Sequence, residues 1–259
     1  MDQRVGNHYT RPDAMRPTAI SEPLMPSTQP PQTPAEAFRI ARDSDAPINQ
    51  RLETYAATLR ALNPAAGGIT DRMVDRLKKA GAGLNAPQVE DPMPPFLLPD
   101  DSAHLVSLEE LLRNGPVAVA LHRGHWCPYC RINAHGLAHI ESEARAAGGQ
   151  IVAITPERQE FAQRHKQDAG ASFRMLTDYA NGYALSLNLA IWIGDEMIDY
   201  LRKGGRNLES FHGVDGWFLP IPATFVVGTD GLITARFVDP DYRKRMDLDE
   251  LLSALKSAR

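Results

Sequence analysis

Hydrophobic residues recur at helical spacing from about residue 35. Ile48, Leu52, Tyr55, Ala56, Leu59 and Leu62 share one face, and Asn63-Pro64 ends the run. A second helix is predicted from a Thr70 cap through Met73, Val74 and Leu77 to the glycines at 81 and 83. Ser107 opens a third, with Glu110 completing a capping box and Leu108, Leu111 and Leu112 on its buried side. The pattern then shortens. Val117–Leu121 and Ile151–Ile154 are unbroken apolar runs, each followed by helical spacing: Ile132, Gly136, Leu137 and Ile140 after the first, Phe161 and His165 after a Thr155-Pro156 start. Such β–α–β crossovers imply parallel strands flanked by helices.

Beyond residue 220 the pattern changes again. Thr224–Val227 and Leu232–Val238 are two strands joined by Gly228-Thr-Asp-Gly231, a hairpin signature. Asp247 and Glu250 cap a last helix carrying Leu248, Leu251, Leu252 and Leu255. The expected fold is therefore α/β. Residues 1–34 hold seven of the 20 prolines among Ser, Thr and Gln, and are read as a flexible arm. Residues 35–85 form a helical extension and 86–259 the main domain. The stretch 179–218 reads as an insertion, with Trp192 and Trp217 expected in core packing.

Composition narrows the function. With 43% hydrophobic and 23% charged residues, the 259-residue chain has a globular balance. A net charge of −4 gives no electrostatic case for nucleic acid or an anionic membrane. No apolar window approaches the ~18 residues of a membrane span, and the N-terminus lacks a secretory core. A soluble cytoplasmic protein is expected.

The two cysteines stand together as Cys127-Pro-Tyr-Cys130, where a buried strand turns into a helix. Helix N-terminal N–H groups and the helix dipole stabilise a negative sulfur at such a position. Pro128 suits the first helical turn, and Cys130 lies one turn further in, so a disulfide can open and close locally. Cys127 is the expected exposed attacking sulfur and Cys130 the resolving one. Trp126 would shield the sulfur, Tyr129 would shape the pocket, and His125 is read as a polar flank. A zinc site would use His135 and His139. They follow too closely for finger spacing, no second CxxC exists, and both fall on the outer helix face, so no metal is expected. No loop has phosphate-binding spacing, so no organic cofactor is expected either. Pro222, in Leu219-Pro-Ile-Pro-Ala-Thr-Phe225, stands where a cis bond is possible.

With those residues in view, the chain from about 86 onward resembles the AhpC/TSA branch of the thioredoxin superfamily, among the redoxins with an RGxWCPYC motif. The matching segments are Ala86-Pro87 through Asp100, Arg123–Cys130, Leu176-Thr-Asp178, Pro222–Gly231 and Arg236. The resemblance implies a thioredoxin-like fold, a central mixed sheet flanked by helices, and a thiol-dependent antioxidant enzyme. It also implies that Pro222 faces the sulfurs and that an arginine helps ionise the cysteine. Arg236 best fits that placement among Arg123, Arg236, Arg243 and Arg245. A thioredoxin- or glutathione-type donor and a homodimer are the expected partners.

Two departures matter. Where a peroxiredoxin carries the hydroxyl of Pro-x-x-x-Thr/Ser-x-x-Cys, this chain has Gly124, and Ala120 replaces the proline. Two enzymatic readings follow. In one, Cys127 reduces a peroxide and Cys130 closes the disulfide. In the other, Cys127 attacks a disulfide directly. A redox-sensing binding protein is a third reading, resting on residues 35–85.

Overall fold

The computed structural model describes residues 30–258. Residues 1–29 of the expected arm lie outside the described residues. Three helices come first: α1 (Pro34–Asp43), α2 (Ile48–Leu62) and α3 (Pro64–Lys79). A short antiparallel pair follows, β1 (Leu97–Pro99) with β2 (Leu105–Ser107), then α4 (Leu108–Leu112), β3 (Val117–Leu121), α5 (Pro128–Ala146), β4 (Gln150–Thr155), α6 (Gln159–Ala169) and β5 (Arg174–Thr177). Next come α7 (Gly182–Ser186), β6 (Ala190–Trp192), α8 (Asp195–Lys203), α9 (Leu208–His212) and β7 (Phe218–Pro220), with β6 and β7 paired antiparallel. β8 (Ala223–Val227), β9 (Ile233–Val238) and α10 (Leu248–Ser257) complete the chain.

The main sheet has the order β5-β4-β3-β8-β9. β3, β4 and β5 run parallel, whereas β8 lies antiparallel to both β3 and β9. This is a mixed sheet in a thioredoxin-like α/β fold. Side chains alternate across the pleat, which is why the strands read as unbroken apolar runs. Val117, Val119, Leu121 and Phe225 face α4, α7 and the β1–β2 pair. Ala118, Ala120, Ala153 and Met175 face α5 and α10 through Leu137, Leu251 and Leu255. The small alanines on this face let α5 approach closely, carrying Cys127 and Cys130 at its first turn.

Several boundaries differ from the sequence expectation. α3 begins at Pro64 rather than Thr70, because the Asn63 side chain caps it by accepting from Ala66 N at 3.1 Å. The α6 helix begins at Gln159 rather than Thr155-Pro156. Thr155 still belongs to β4, and its hydroxyl donates to the inward-turned Glu157 at 3.2 Å. Trp217 is core, packed with Met197, Ile198 and Leu201 of α8. Trp192 is not, being paired with Phe218 on the solvent side of the β6–β7 ribbon under the Arg76 guanidinium.

The N-terminal helices share a core with the cysteine turn. Ala37 and Ala41 of α1 and Ile48, Leu52 and Tyr55 of α2 cluster with Cys127, Tyr129, Cys130 and Ile132. Leu52 is wholly buried there. Leu52→Ala removes its methyl contacts and leaves a cavity, so the expected loss is about 2–5 kcal/mol. Urea denaturation followed by far-UV circular dichroism measures it, with a lowered midpoint and an unchanged slope.

Candidate active site

The strand β3 ends at Leu121, and the next six residues bring the chain to Cys127 at the N-cap of α5, with Pro128 in the first turn. The two cysteines are free and lie 3.4 Å apart. Both are buried; Cys127 is 1% exposed, so the expectation of an exposed sulfur at 127 is corrected. α1 and α2 on one side and Trp126 on the other enclose it. Cys127 instead lines a cavity of about 160 Å³ with Tyr55, Leu59, Trp126, Met197 and Tyr242. Tyr129 and Arg123 also face that space.

Electrostatics separate the two sulfurs. Burial pushes the Cys127 thiol up, and its hydrogen bond to Cys130 keeps the proton on it. Burial alone would raise Cys130 as well. There the hydrogen bond from Cys127, the Arg245 guanidinium, the neighbouring His122 and the Arg123 N–H outweigh it and hold the thiol well below its ordinary value. The contacts are direct: Arg123 N and Arg245 Nη2 each donate to Cys130 Sγ at 3.3 Å. The reduced pair therefore carries its negative charge on Cys130, not on Cys127 as the helix N-terminus alone suggested.

The cation at the sulfurs is also not the expected one. Arg236 lies on β9 and donates to Gln88 Oε1. Arg245 serves instead, 2% exposed, with Nη1 donating to the carbonyls of Tyr242 and Lys244 at 2.7 and 2.6 Å. Asn49 of α2 clasps its backbone, accepting from Arg245 N at 3.0 Å and donating to Arg245 O at 2.9 Å. Arg123 lies over the rings of Tyr242 and Trp126, at 4.0 and 5.2 Å from their centroids. Tyr242 packs edge-on against Tyr129, and Tyr129 against Tyr55. Pro222 is buried just ahead of β8, but the bond before it is trans, and the residue does not line the cavity.

Beneath the turn lies Glu157. Its Oε2 accepts from His125 N at 2.6 Å, and burial raises its carboxyl to about 8. Gly124 has a φ of 131°, and a Cβ there would stand 2.5 Å from Glu157 Cδ. No hydroxyl-bearing residue fits at this position without displacing the acid. His125 bonds Asp168 Oδ2 at 2.8 Å, as a flank rather than a partner of the sulfur. Behind Cys130, His122 is wholly buried and bonds Asn133 Oδ1 at 2.9 Å, and burial pushes its pKa down. Among the described residues no group of three or more His, Cys, Asp or Glu is arranged to hold a metal.

The AhpC/TSA family model matches residues 89–236. This chain belongs to the AhpC/TSA family. Its fold is similar to Peroxidoxin BcpB from Mycobacterium tuberculosis, at 19% identity and a TM-score of 0.51, over 67% of this chain and 99% of that one. A yeast mitochondrial 1-Cys peroxiredoxin matches at 16% identity and a TM-score of 0.50, covering 64% and 73%. A peroxiredoxin-like protein from Aquifex aeolicus matches at 11% and 0.52, covering 66% and 88%. At such identities the likeness is one of fold. No curated protein sequence matches the chain. Tyr55, Tyr242 and Arg245 all lie outside the stretch the AhpC/TSA model matches.

Glu157 gives a pH test. Its folded value of about 8 exceeds the ordinary 4.5, so the folded state holds an extra proton between those limits. Stability from this group is full below pH 4.5 and is lost as pH rises through about 8. Glu157→Gln mimics the protonated form. Wild-type stability minus that of the variant should therefore fall from pH 5 to pH 8.5, as measured by urea unfolding at matched ionic strength.

Proposed function

We propose that this AhpC/TSA protein is a thiol peroxidase that reduces small hydroperoxides through Cys127 and Cys130. The observation that carries the reading is the burial of Cys127 at the wall of a small cavity. A hydroperoxide fits such a space, whereas a protein disulfide must bring its own sulfur in line with an accessible nucleophile.

The chemistry follows from the charge on the pair. The Cys127 proton passes to the Cys130 thiolate across their hydrogen bond, leaving the anion on Cys127. That thiolate attacks the distal peroxide oxygen. The O–O bond breaks, an S–OH forms, and the departing alkoxide takes the proton from Cys130. Cys130, again a thiolate, attacks the Cys127 sulfenic acid. The S–S bond forms, and hydroxide leaves to be protonated from solvent. Two electrons from a thioredoxin- or glutathione-type thiol donor then restore both thiols. Arg123, beside the cavity, faces the oxygen on which charge develops.

Gly124 favours the second reading, thiol–disulfide exchange, because a peroxidase of this family carries a hydroxyl at that place. The two are separated by one set of variants. Cys130→Ser should trap a sulfenic acid on Cys127 with excess hydroperoxide, formed more slowly than the wild-type disulfide because the variant lacks the Cys130 base, and detected by dimedone labelling and mass spectrometry. Cys127→Ser should abolish peroxide consumption. Inertness to peroxide with rapid reduction of a small disulfide would reverse the assignment.

A further inference from the structure

The cavity beside Cys127 carries one more charge than the proposed peroxidase cycle uses. Its lining includes two guanidiniums, Arg123 and Arg206, and no carboxylate. Arg123 is 4% exposed, and its described partners are the rings of Trp126 and Tyr242. Arg206 is partly buried just after α8; its backbone N–H donates to Leu201 O at 2.8 Å. Among the described residues neither guanidinium is in an ion pair. Burying a cation without a partner is costly, and the other deeply buried guanidiniums of this protein donate to acceptors: Arg51 to the carbonyls of Ala41 and Arg42, Arg245 to those of Tyr242 and Lys244. Arg243, close by, is held by both Asp241 and Asp71.

The thiol pair cannot supply the missing anions. It carries one negative charge, and Arg245 already meets it at Cys130 Sγ. Arg123 is placed for the oxygen that becomes negative during attack. That leaves Arg206, the more solvent-near cation of the lining, with no anion in any step of the cycle. One guanidinium balances one negative charge. A phosphate dianion would leave a surplus charge against Tyr55, Leu59 and Met197.

We propose that the cavity binds a small carboxylate-bearing substrate, its carboxylate on Arg206 and its reacting atom at Cys127. The proposal rests on Cys127 being the reacting sulfur. The carboxylate belongs either to the hydroperoxide or to a small thiol that reduces the enzyme, since both must reach the same sulfur through the same space.

Alkylation tests the recognition without any turnover. Iodoacetate and iodoacetamide differ in charge but little in size, and both mark Cys127, which fragment mass spectrometry distinguishes from Cys130. The iodoacetate-to-iodoacetamide rate ratio at Cys127 should be at least tenfold higher in the native protein than in the urea-unfolded chain. Arg206→Gln should bring the ratio down to the unfolded value, Arg206→Lys should keep most of it, and Lys203→Gln, an exposed charge outside the cavity, should leave it unchanged. A native ratio no higher than the unfolded one overturns the inference. So does an unchanged ratio in Arg206→Gln, an equal fall in Lys203→Gln, or exclusion of both reagents from native Cys127.

Paired substrates then identify the source. A hydroperoxy acid is compared with its methyl ester, and glutathione with its diethyl ester. The pair in which Arg206→Gln raises KM for the acid alone carries the recognised carboxylate. Acid and ester turned over alike in both pairs would again overturn the inference. Failure to consume any hydroperoxide would instead sink the peroxidase reading, and the alkylation ratio would still stand on its own.

Discussion

The site depends on one contact, the Arg245 guanidinium against the sulfur of Cys130. Two thiols buried 3.4 Å apart have no reason to ionise, since each anion would be stripped of water. Arg245 supplies the counter-charge from inside the fold, and the Arg123 N–H adds a directed hydrogen bond. Their combined effect places the charge on the inner sulfur and leaves the proton on the outer one. The outer thiol then carries its own base within hydrogen-bond reach. If Cys127 is the nucleophile proposed above, it is thereby kept protonated at rest and activated without solvent entering.

Holding that arginine takes residues from both sides of the sheet's sequence. Its guanidinium is pinned to the carbonyls of Tyr242 and Lys244, and its backbone is clasped by Asn49 from α2. The N-terminal helices are thus part of the site in two ways. They fix the cation, and through Tyr55 and Leu59 they wall the cavity. Yet Asn49, Tyr55 and Arg245 all fall outside residues 89–236, the stretch shared with the AhpC/TSA family. The family segment provides the sheet, the cysteine turn and α5, while sequence on either side of it sets the environment of the sulfurs.

What was legible in the sequence divides along the same line. The buried strands, the capping boxes at Ser107 and Asp247, and the hairpin around Gly228–Gly231 are local patterns, each enforced by a few adjacent residues. They were readable for that reason. The Cys-Pro-Tyr-Cys turn was equally plain. Arg245 was visible only as one of four possible cations, because its partner is 115 residues away and nothing in Tyr242-Arg-Lys-Arg245 marks which guanidinium turns inward. Arg236 looked better by position along the hairpin, but its side chain leads to Gln88. Tyr55 read as an ordinary core position on an amphipathic face, which it is; its second role depends on what that face packs against. Arg206 stood after Gly204-Gly205 with no pattern to mark it, and Glu157 read as part of the first turn of a helix that begins only at Gln159.

Gly124 and Glu157 show why the departure from the family's hydroxyl is a property of the whole turn rather than of one residue. The carboxyl of Glu157 fills the space a side chain at 124 would need, while its Oε2 takes up the N–H of His125. Replacing the glycine alone would drive a Cβ into that carboxyl. Removing the acid alone would leave a buried N–H unsatisfied, at a cost of about 1–3 kcal/mol. The pair can change only together. On the proposed peroxidase reading, orienting a peroxide without that hydroxyl falls to the groups that remain around the cavity, and these are cationic and aromatic: Arg123 between two rings, and Arg206 nearer the solvent. On the same reading, the site gains orientation from a charge remote from the reacting oxygen. Selectivity among substrates should accordingly follow the tail of the molecule more than its peroxide group.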